Sequence, residues 1–408
     1  MKVLIVTQYF WPENFRITDL AAGLVEMGHE IDVLTGMPNY PGGKLFAGYK
    51  ILSPSFEIYM GIRIFRVPLV PRRKGRNFEL VVNYFSFAIS GMVLGPLRCP
   101  QEYDCILVYE PSPITVGLPA IVLRVLKGVP IFFWVQDLWP ESLSATGAIK
   151  SKWILDRVKT LVRFIYDRSD RILVQSEAFK PSIIALGTAA EKLDYFPNSA
   201  ELLYRPVTLE SSAVENKKMP TGFRVMFAGN IGAAQDFPTI IRAAELLKSY
   251  NDIHFVILGS GRKLSWVEEQ VDTKGLKNTF HLLGRHPVES MPRYFSCADA
   301  MLVTLRKDPI FKRTIPAKVQ SYMACGKPVI AALDGEGARV VLVAEAGLVC
   351  PAESPEALSE KIVEMYRLPA SSRDKMGASG LRYFKSNFER NLLLEKLEHM
   401  MSQIKRGQ

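Results

Sequence analysis

The sequence has 408 residues, of which 48% are hydrophobic and 23% are charged. This composition excludes a chain that is disordered along most of its length, and the length favours two domains. The formal net charge of +10 favours an anionic partner, which could be a phosphorylated ligand, an acidic membrane surface or nucleic acid.

The first residues alternate between strand and helix patterns. KVLIV at 2–6 predicts a buried strand, residues 17–27 predict a helix that stops at Gly28, and IDVLT predicts the next strand. This β-α-β order is typical of a parallel sheet. A helix is predicted at 151–169, and further strands are predicted at 62–69, 104–110, 129–137, 171–176 and 192–198.

A polar stretch without periodicity at 206–221 predicts a linker, after which the alternation starts again. Strands are predicted at 223–229, 253–259, 279–284, 299–305 and 327–333, and helices at 237–250, 316–326 and 389–404. The expected fold class is therefore α/β, with two Rossmann-like, doubly wound domains that face each other across a cleft. Their expected bounds are 1–205 with the C-terminal helix 385–408, and 222–384.

One segment is more apolar than the rest. The basic run PRRKGR at 71–76 precedes a largely apolar stretch at 78–97, which is interrupted by Glu79, Asn83 and Pro96. The length is borderline for a transmembrane helix, so we favour a helix of the first domain. A basic run beside an exposed apolar face would suit anionic lipid, and an ordinary core helix explains the pattern equally well.

Glycine turns follow two predicted strands of the second domain. Such turns allow backbone amides to approach a phosphate closely, and a following helix adds positive potential. A plain tight turn is the alternative for each of them. The candidate ligand contacts here are Gly229, Asn230 and Gly232 in GNIG, and Gly259, Gly261 and Arg262 in GSGR.

The segment 306–331 is the most informative. Cationic side chains precede a predicted helix, Lys318 lies within it, Pro316 suits its first turn and Thr314 lies near its cap. Fixed positive charge around a helix N-terminus suits a diphosphate, and the alternative is a solvated basic loop. The cations before the helix are Arg306, Lys307, Lys312 and Arg313.

Polar residues also follow predicted strands of the first domain. In WVQDLWPES, Asp137 could orient a hydroxyl or accept its proton, or it could cap the next helix. The sequence shows no Asp-x-Asp pair, no clustered histidines and no Cys/His zinc spacing, so no metal is expected. The candidate substrate contacts in these loops are Glu13, Asn14, Arg16, Asn39, Tyr40 and Glu141.

As a group, several motifs resemble those of the GT-B-fold glycosyltransferases of sequence family four, over nearly the whole chain. They are FWPE, MGHEIDVLTGMPNYPGG, WVQDLWPES, YFPNSAE, FAGNIGAAQDF and PAKVQSYMACGKPVIA. Three of them look most like the branch that builds bacterial O-antigen, capsule and colanic-acid repeats, which includes L-fucosamine transferases. They are MPNYPGG, DLWPES and QSYMACGKPVIA.

The resemblance implies retaining transfer from a nucleotide sugar, usually UDP-linked, without a metal or other cofactor. It implies a donor in the C-terminal domain and an acceptor in the N-terminal domain, often a saccharide on a polyprenyl diphosphate. The donor sugar expected in this branch is an N-acetylated amino sugar such as L-FucNAc. The final helix is expected to cross back onto the first domain. The five scattered cysteines, with no CxxC pair, predict reduced thiols and a cytoplasmic protein, with peripheral contact at the inner membrane as one of the two alternatives for 71–97.

Two departures from the family pattern change the expected chemistry. The family carries two glutamates eight positions apart, and Arg313 and Ser321 stand there in this chain. Asn230 and Gln235 replace an Arg and Lys pair. Diphosphate binding is therefore expected to shift to Arg313, Lys312 or Lys318, with Ser321 facing the ribose. Asp137, Arg313 and Lys318 are the candidate catalytic residues, and Gln235 and Thr314 join the candidate donor contacts.

Two other functions remain open at this stage. A UDP-sugar 2-epimerase also uses paired Rossmann-like domains and needs no lipid acceptor, and a nucleotide-sugar or membrane-surface binding module needs no catalysis. Binding of nucleic acid is not expected, because the basic residues lie on one loop rather than on a stripe interleaved with aromatic residues.

Overall fold

The structure is a computed structural model that describes residues 1–52, 55–73, 77–145, 149, 151–210 and 212–406. The chain divides into two units. Unit 1 comprises Met1–Asn198 and Asn391–Gln408, and unit 2 comprises Ser199–Arg390. Each unit is built from one sheet with helices beside it, so the predicted α/β class is confirmed.

Among the described residues, the sheet of unit 1 has eight strands in the order β3-β4-β2-β1-β5-β6-β7-β8. All neighbours pair in parallel except β3 and β4. The elements in chain order are β1 (Lys2–Val6), α1 (Arg16–Glu26), β2 (Glu30–Gly36), β3 (Phe56–Tyr59), β4 (Ile62–Val67), α2 (Asn77–Arg98), β5 (Cys105–Glu110), α3 (Gly117–Lys127), β6 (Ile131–Val135), α4 (Glu141–Ala145), α5 (Lys152–Asp167), β7 (Arg171–Val174), α6 (Lys180–Ala185) and β8 (Leu193–Tyr195).

The described part of unit 2 has a parallel sheet of six strands in the order β11-β10-β9-β12-β13-β14. The elements are α7 (Val214–Lys218), β9 (Phe223–Ala228), α8 (Phe237–Leu246), β10 (Ile253–Leu258), α9 (Leu264–Thr273), β11 (Phe280–Gly284), α10 (Met291–Ser296), β12 (Ala300–Thr304), α11 (Ala317–Ala324), β13 (Val329–Ala332), α12 (Glu336–Val343), β14 (Gly347–Cys350), α13 (Pro355–Arg367) and α14 (Ala370–Asn387). The chain ends with α15 (Arg390–Arg406).

The cores explain these elements. β1 and β5 are apolar except for Lys2 and Glu110 at their ends, because both faces of a parallel sheet are covered. The last helix, α15, buries Leu393, Leu394 and Leu397 in the core of unit 1, although it follows unit 2 in the chain. All five cysteines are buried and free.

The predicted linker at 206–221 is wrong as an independent segment. Residues from Ser199 onward belong to unit 2, and α7 lies within the predicted linker. Leu209 and Met219 pack against the unit 2 core, and Glu215 forms an ion pair with Arg293 at 2.7 Å. The sequence pattern shows no helical or strand periodicity here, because single side chains rather than a repeated apolar face attach this segment to the unit 2 core.

Two four-residue strands, β3 and β14, were not predicted from the sequence. β3 is an antiparallel edge strand whose side chains are all at least partly exposed, and β14 begins at Gly347. Neither shows the buried apolar run that marks the central strands. In the basic run at 71–76, residues 74–76 lie outside the described residues.

Candidate active site

The carboxyl ends of β9 and β12 meet where the strand order of the unit 2 sheet reverses, which is where open parallel sheets bind ligands. β9 leads directly into Gly229, whose φ of +134° favours glycine. A Cβ atom on Gly229 would lie 2.7 Å from Lys318 Cε, so a side chain here would displace the lysine. The glycine turn and the basic segment are therefore brought together by the fold.

The ammonium group of Lys318 is held at this edge by two contacts. Its Nζ donates to Gln235 Oε1 at 2.9 Å and lies 3.5 Å from the centroid of the Phe227 ring. The carbonyl of Gln235 accepts a hydrogen bond from the hydroxyl of Thr304, at the end of β12. Burial lowers the pKa of Lys318 to about 7 by desolvating its charge, and no carboxylate among the described residues offsets this effect.

The backbone amides of the GNIG turn have two different roles. Gly229 donates to the Leu258 carbonyl at 2.8 Å, and Ile231 donates to the Ser260 carbonyl at 2.9 Å. Among the described residues, the amides of Asn230 and Gly232 have no hydrogen-bond partner. The turn can therefore offer two amides to an anion, at positions 230 and 232, rather than four.

Gly259 and Gly261 serve the packing of one loop on another. A Cβ atom at Gly259 would lie 1.9 Å from the Gly229 carbonyl oxygen, and one at Gly261 would lie 2.3 Å from that of Ile231. These contacts account for both glycines without a ligand. Arg262, the next residue, is exposed.

The basic loop before α11 carries its own counterions. Lys312 Nζ lies 3.6 Å from Asp334, and Arg306 Nε lies 3.5 Å from Glu353. Both cations are more than half exposed, so these pairs add little stability. Arg313 is half-buried and ends the short 3₁₀ turn Phe311–Arg313.

Two predictions about α11 are corrected. The Thr314 hydroxyl donates to the Ile310 carbonyl at 3.0 Å, and Pro316 occupies the N-cap, so no side chain caps the first turn. Ser321 is buried, and its hydroxyl donates to the Ala317 carbonyl at 3.2 Å. This hydroxyl is committed to its own helix because position 321 faces the core, which disfavours the predicted ribose contact.

In unit 1, carboxylates gather at the ends of β5 and β6. Asp137 is half-buried. Burial raises its pKa to about 6, although hydrogen bonds with Ser142 and with the Leu138 amide act to lower it. Glu110 is fully buried, its Oε1 has no partner among the described residues, and burial together with the charge of Asp137 raises its pKa.

Two tyrosines accompany these carboxylates. Tyr84 on α2 hydrogen bonds with Ser112 and packs edge-on against Trp139, with ring centroids 6.4 Å apart. The Tyr166 hydroxyl on α5 is buried and unpartnered within the described chain, and burial and the charge of Glu110 raise its pKa. Glu141 begins α4, with a buried Oε2 that likewise lacks a described partner.

A neutral amide cluster lies at the ends of β6 to β8. Asn198 Nδ2 donates to Gln136 Oε1 at 2.8 Å and to Gln175 Oε1 at 2.9 Å, and Gln175 donates to the Gln136 carbonyl at 2.6 Å. The buried Gln136 Nε2 remains without a partner in the described structure. This cluster and Glu110 were not predicted from the sequence, although each of these side chains lies at the end of a predicted strand or one residue before it.

Glu13 and Asn39, predicted to contact the acceptor, are instead buried loop anchors. Glu13 accepts from the Asn39 and Tyr40 amides at 2.8 and 2.7 Å, and burial raises its pKa to about 7. Asn39 donates to the Met37 carbonyl and accepts from the Arg72 amide at 3.0 Å in each case. Short polar side chains that bond to nearby amides fold loops as readily as they bind ligands, which the pattern could not distinguish.

The other predicted acceptor residues reach the surface. Asn14 is exposed and Arg16 is half-buried at the start of α1. Tyr40 is 37% exposed, packs against Tyr9 and Phe15, and lies under the Arg72 guanidinium.

Comparison with known families decides the class of protein. The profile described as "Glycosyl transferase 4-like domain" matches residues 14–199, and that described as "Glycosyl transferases group 1" matches residues 210–382. Together they cover most of the chain. The chain belongs to the group 1 glycosyltransferases.

Named relatives of this group 1 glycosyltransferase are distant. It is 23% identical to WcaI of Escherichia coli (strain K12), named as a colanic acid biosynthesis glycosyl transferase, over 80% of this chain and 82% of that protein. It is 22% identical to the D-inositol 3-phosphate glycosyltransferase of Paenarthrobacter aurescens (strain TC1), over 89% and 86%.

Solved structures confirm the GT-B fold. The sucrose-phosphate synthase of Thermosynechococcus elongatus superposes with a TM-score of 0.74 at 16% identity and covers 100% of both chains. Anabaena Alr3699/HepE in complex with UDP superposes with a TM-score of 0.70 at 15% identity and covers 99% of this chain and 100% of that one. At these identities the likeness shows the fold alone.

Proposed function

We propose that unit 2 holds the diphosphate of a UDP-sugar at the carboxyl ends of β9 and β12. The observation that carries this proposal is the position of Lys318, whose ammonium group lies against the Gly229 turn. It also bonds to Gln235, the position at which the resembled family carries a lysine. Lys318 on α11 would thus supply the cation that the turn lacks.

The proposed reaction breaks the bond between the sugar C1 and the diphosphate oxygen and forms a bond from C1 to an acceptor hydroxyl. Negative charge grows on the leaving diphosphate as the first bond breaks. The Lys318 ammonium, the amides of Asn230 and Gly232 and the Arg313 guanidinium would stabilise that charge, and they are in place before the reaction. We propose transfer with retention, as the family resemblance implies. We also propose that no metal is needed, because the cations and amides meet the same electrostatic demand.

Asp137 is the proposed group that orients the acceptor hydroxyl or takes its proton. With its pKa raised to about 6, Asp137 is ionised at neutral pH and more basic than an ordinary aspartate. Glu110 beneath it would act as a positioning residue, since it accepts a hydrogen bond from the Asp137 amide at 3.4 Å.

The proposed acceptor is a saccharide on a polyprenyl diphosphate in surface polysaccharide synthesis, and the proposed donor sugar is an N-acetylated amino sugar such as L-FucNAc. The likeness to WcaI supports this assignment. The cluster of Gln136, Gln175 and Asn198 is consistent with it, since neutral amides hydrogen bond with sugar hydroxyl and acetamido groups without a charge. UDP is the proposed nucleotide because several proteins of similar structure have been solved with UDP or a UDP-sugar bound.

The test is a transfer assay with purified protein. A panel of UDP-sugars would be offered with and without a polyprenyl-diphosphate-linked sugar, in EDTA and in magnesium, with products identified by mass. We expect a new glycoside only when the lipid acceptor is present, at equal rates in EDTA and magnesium. The anomeric configuration of the product, read by NMR, tests retention.

Lys318→Met and Lys307→Met form a matched pair for this assay. Both remove a lysine charge, but Lys307 is exposed and lies outside the Gln235 and Phe227 contacts. We expect Lys318→Met to lose transfer and Lys307→Met to retain it. UDP release without any new glycoside, or equal activity of the two variants, would contradict the proposal.

A further inference from the structure

The outer face of α2 is apolar and exposed from end to end. Its exposed side chains recur every three or four residues, which places them on one side of the helix. Phe85 and Ile89, at the middle of the helix, are 47% and 55% exposed. The full stripe is Phe78, Val81, Phe85, Ile89, Val93 and Leu97.

The inner face of α2 belongs to the fold. Asn83 is buried, accepts from Gln8 Nε2 at 2.7 Å and donates to the Val70 carbonyl at 2.7 Å. Gly91 packs against Pro119, and Gly95 packs against Leu34. By length and composition α2 could cross a membrane, but crossing would expose these polar groups to lipid without partners. The helix is therefore suited to lie along a surface.

The neighbouring helices α3 and α5 also carry exposed apolar side chains. α3 packs against both α2 and α5, and α3 and α5 each expose large apolar side chains. On α5 these are interleaved with cations, and the Arg157 guanidinium lies 5.2 Å from the Trp153 ring centroid. Together, α2, α3 and α5 contain seven lysines and arginines and three acidic residues. The additional exposed apolar side chains are Val125, Leu126, Trp153, Ile154 and Phe164.

We propose that this three-helix face, formed by α2, α3 and α5, docks on a bilayer that contains anionic lipid. Aromatic and aliphatic side chains would enter the headgroup boundary, and the cations would pair with lipid phosphates. A second copy of the chain is the less favourable occupant, because two faces with this excess of positive charge repel each other. The docking goes beyond sugar transfer and needs neither donor nor acceptor.

The test is co-sedimentation of the full chain with vesicles of phosphatidylcholine alone and of phosphatidylcholine with phosphatidylglycerol. We expect stronger binding to the anionic vesicles, weakened by salt. Ile89→Asp with Val93→Asp should lower the partition coefficient by about tenfold or more, since two apolar side chains that would enter the headgroup boundary become charged. Arg157→Glu should lower it by about fivefold or more on anionic vesicles alone.

Controls of matched exposure lie in unit 2. Leu342→Asp with Val343→Asp changes two helical side chains that are 57% and 56% exposed, against 55% and 63% for Ile89 and Val93. Lys375→Glu is the matched charge reversal on α14. We expect both controls to bind vesicles as the wild type does, and all variants to keep the wild-type melting temperature.

Two results would overturn the proposal. One is equal vesicle binding by the wild type and the Ile89→Asp, Val93→Asp variant. The other is a lipid-free dimer that this variant abolishes, with no vesicle binding by the wild type, which would assign the face to a second copy. Because vesicle binding is read without substrates, its failure is distinguishable from a failure of transfer.

Discussion

The protonation of Lys318 should control donor affinity. The lysine is desolvated, so its charge is lost near neutral pH in the free protein, where its pKa is about 7. A bound diphosphate favours the ammonium form, because an opposite charge at close range raises the pKa of a lysine. Donor binding should therefore take up a proton above neutral pH and weaken as pH rises.

The magnitude follows from the fraction of protein that carries the charged lysine. With a pKa of about 7, that fraction falls from about nine-tenths at about pH 6 to about one-tenth at about pH 8, so the apparent Kd for a UDP-sugar should rise about tenfold. Replacing Lys318 by methionine removes a charge-assisted hydrogen bond worth about 1.5–3 kcal/mol, which weakens binding by roughly tenfold to a hundredfold.

The assay is isothermal titration calorimetry with a UDP-sugar in buffers of different ionisation enthalpy. A UDP-sugar is preferable to UDP because its diphosphate is esterified at both ends and does not titrate in this range. Lys318→Arg keeps the charge at every pH, so its affinity should not change with pH. Lys318→Met should bind weakly, without pH dependence and without proton uptake.

The reasoning would be refuted by a wild-type Kd that stays constant from about pH 6 to about pH 8, where the charged fraction of Lys318 should change about tenfold. It would equally be refuted if Lys318→Met kept the full pH dependence. In either case the diphosphate would have to be bound elsewhere on unit 2, and Arg313 would be the next residue to test.

Three further predictions concern other residues. Asp137→Asn should lower kcat by about 10²–10⁴ without changing donor Kd, and the wild-type rate should fall as pH drops below about 6, where Asp137 becomes protonated. Glu13→Ala should lower the free energy of unfolding by about 2–4 kcal/mol in urea denaturation, because the buried Asn39 amide and the partly buried Tyr40 amide lose their acceptor. The pKa of Glu13 is about 7 in the folded protein, above its ordinary value of 4.5. The stability that protonated Glu13 contributes is therefore lost as pH rises through about 7. Glu13→Ala should flatten the pH–stability curve in this range. Ser321→Ala should change donor Kd by less than about threefold in the same calorimetric assay, since the Ser321 hydroxyl is bonded within α11. A larger loss of donor affinity would support the ribose contact that the sequence predicted.

Much of the fold was readable from local pattern. Buried parallel strands are continuous apolar runs, so β1, β5, β6 and β9 were predicted within two residues of their observed ends. Edge strands and anchored loops lack that pattern. β3 was therefore missed, because it is held by its pairing with one strand. The segment around Glu215 was misassigned as a linker, because an ion pair rather than a periodic apolar face attaches it.

The sequence by itself determined which chemical groups end the strands: glycines after β9 and β10, Asp137 after β6 and a cationic segment before α11. The tertiary structure decided what each group does. It places the Lys318 ammonium against Gly229, although the two are 89 positions apart. It also turns Glu13, Asn39 and Ser321 toward backbone partners. The physical reason is that a polar side chain gains as much from a backbone group as from a ligand, and only the surrounding packing selects between them.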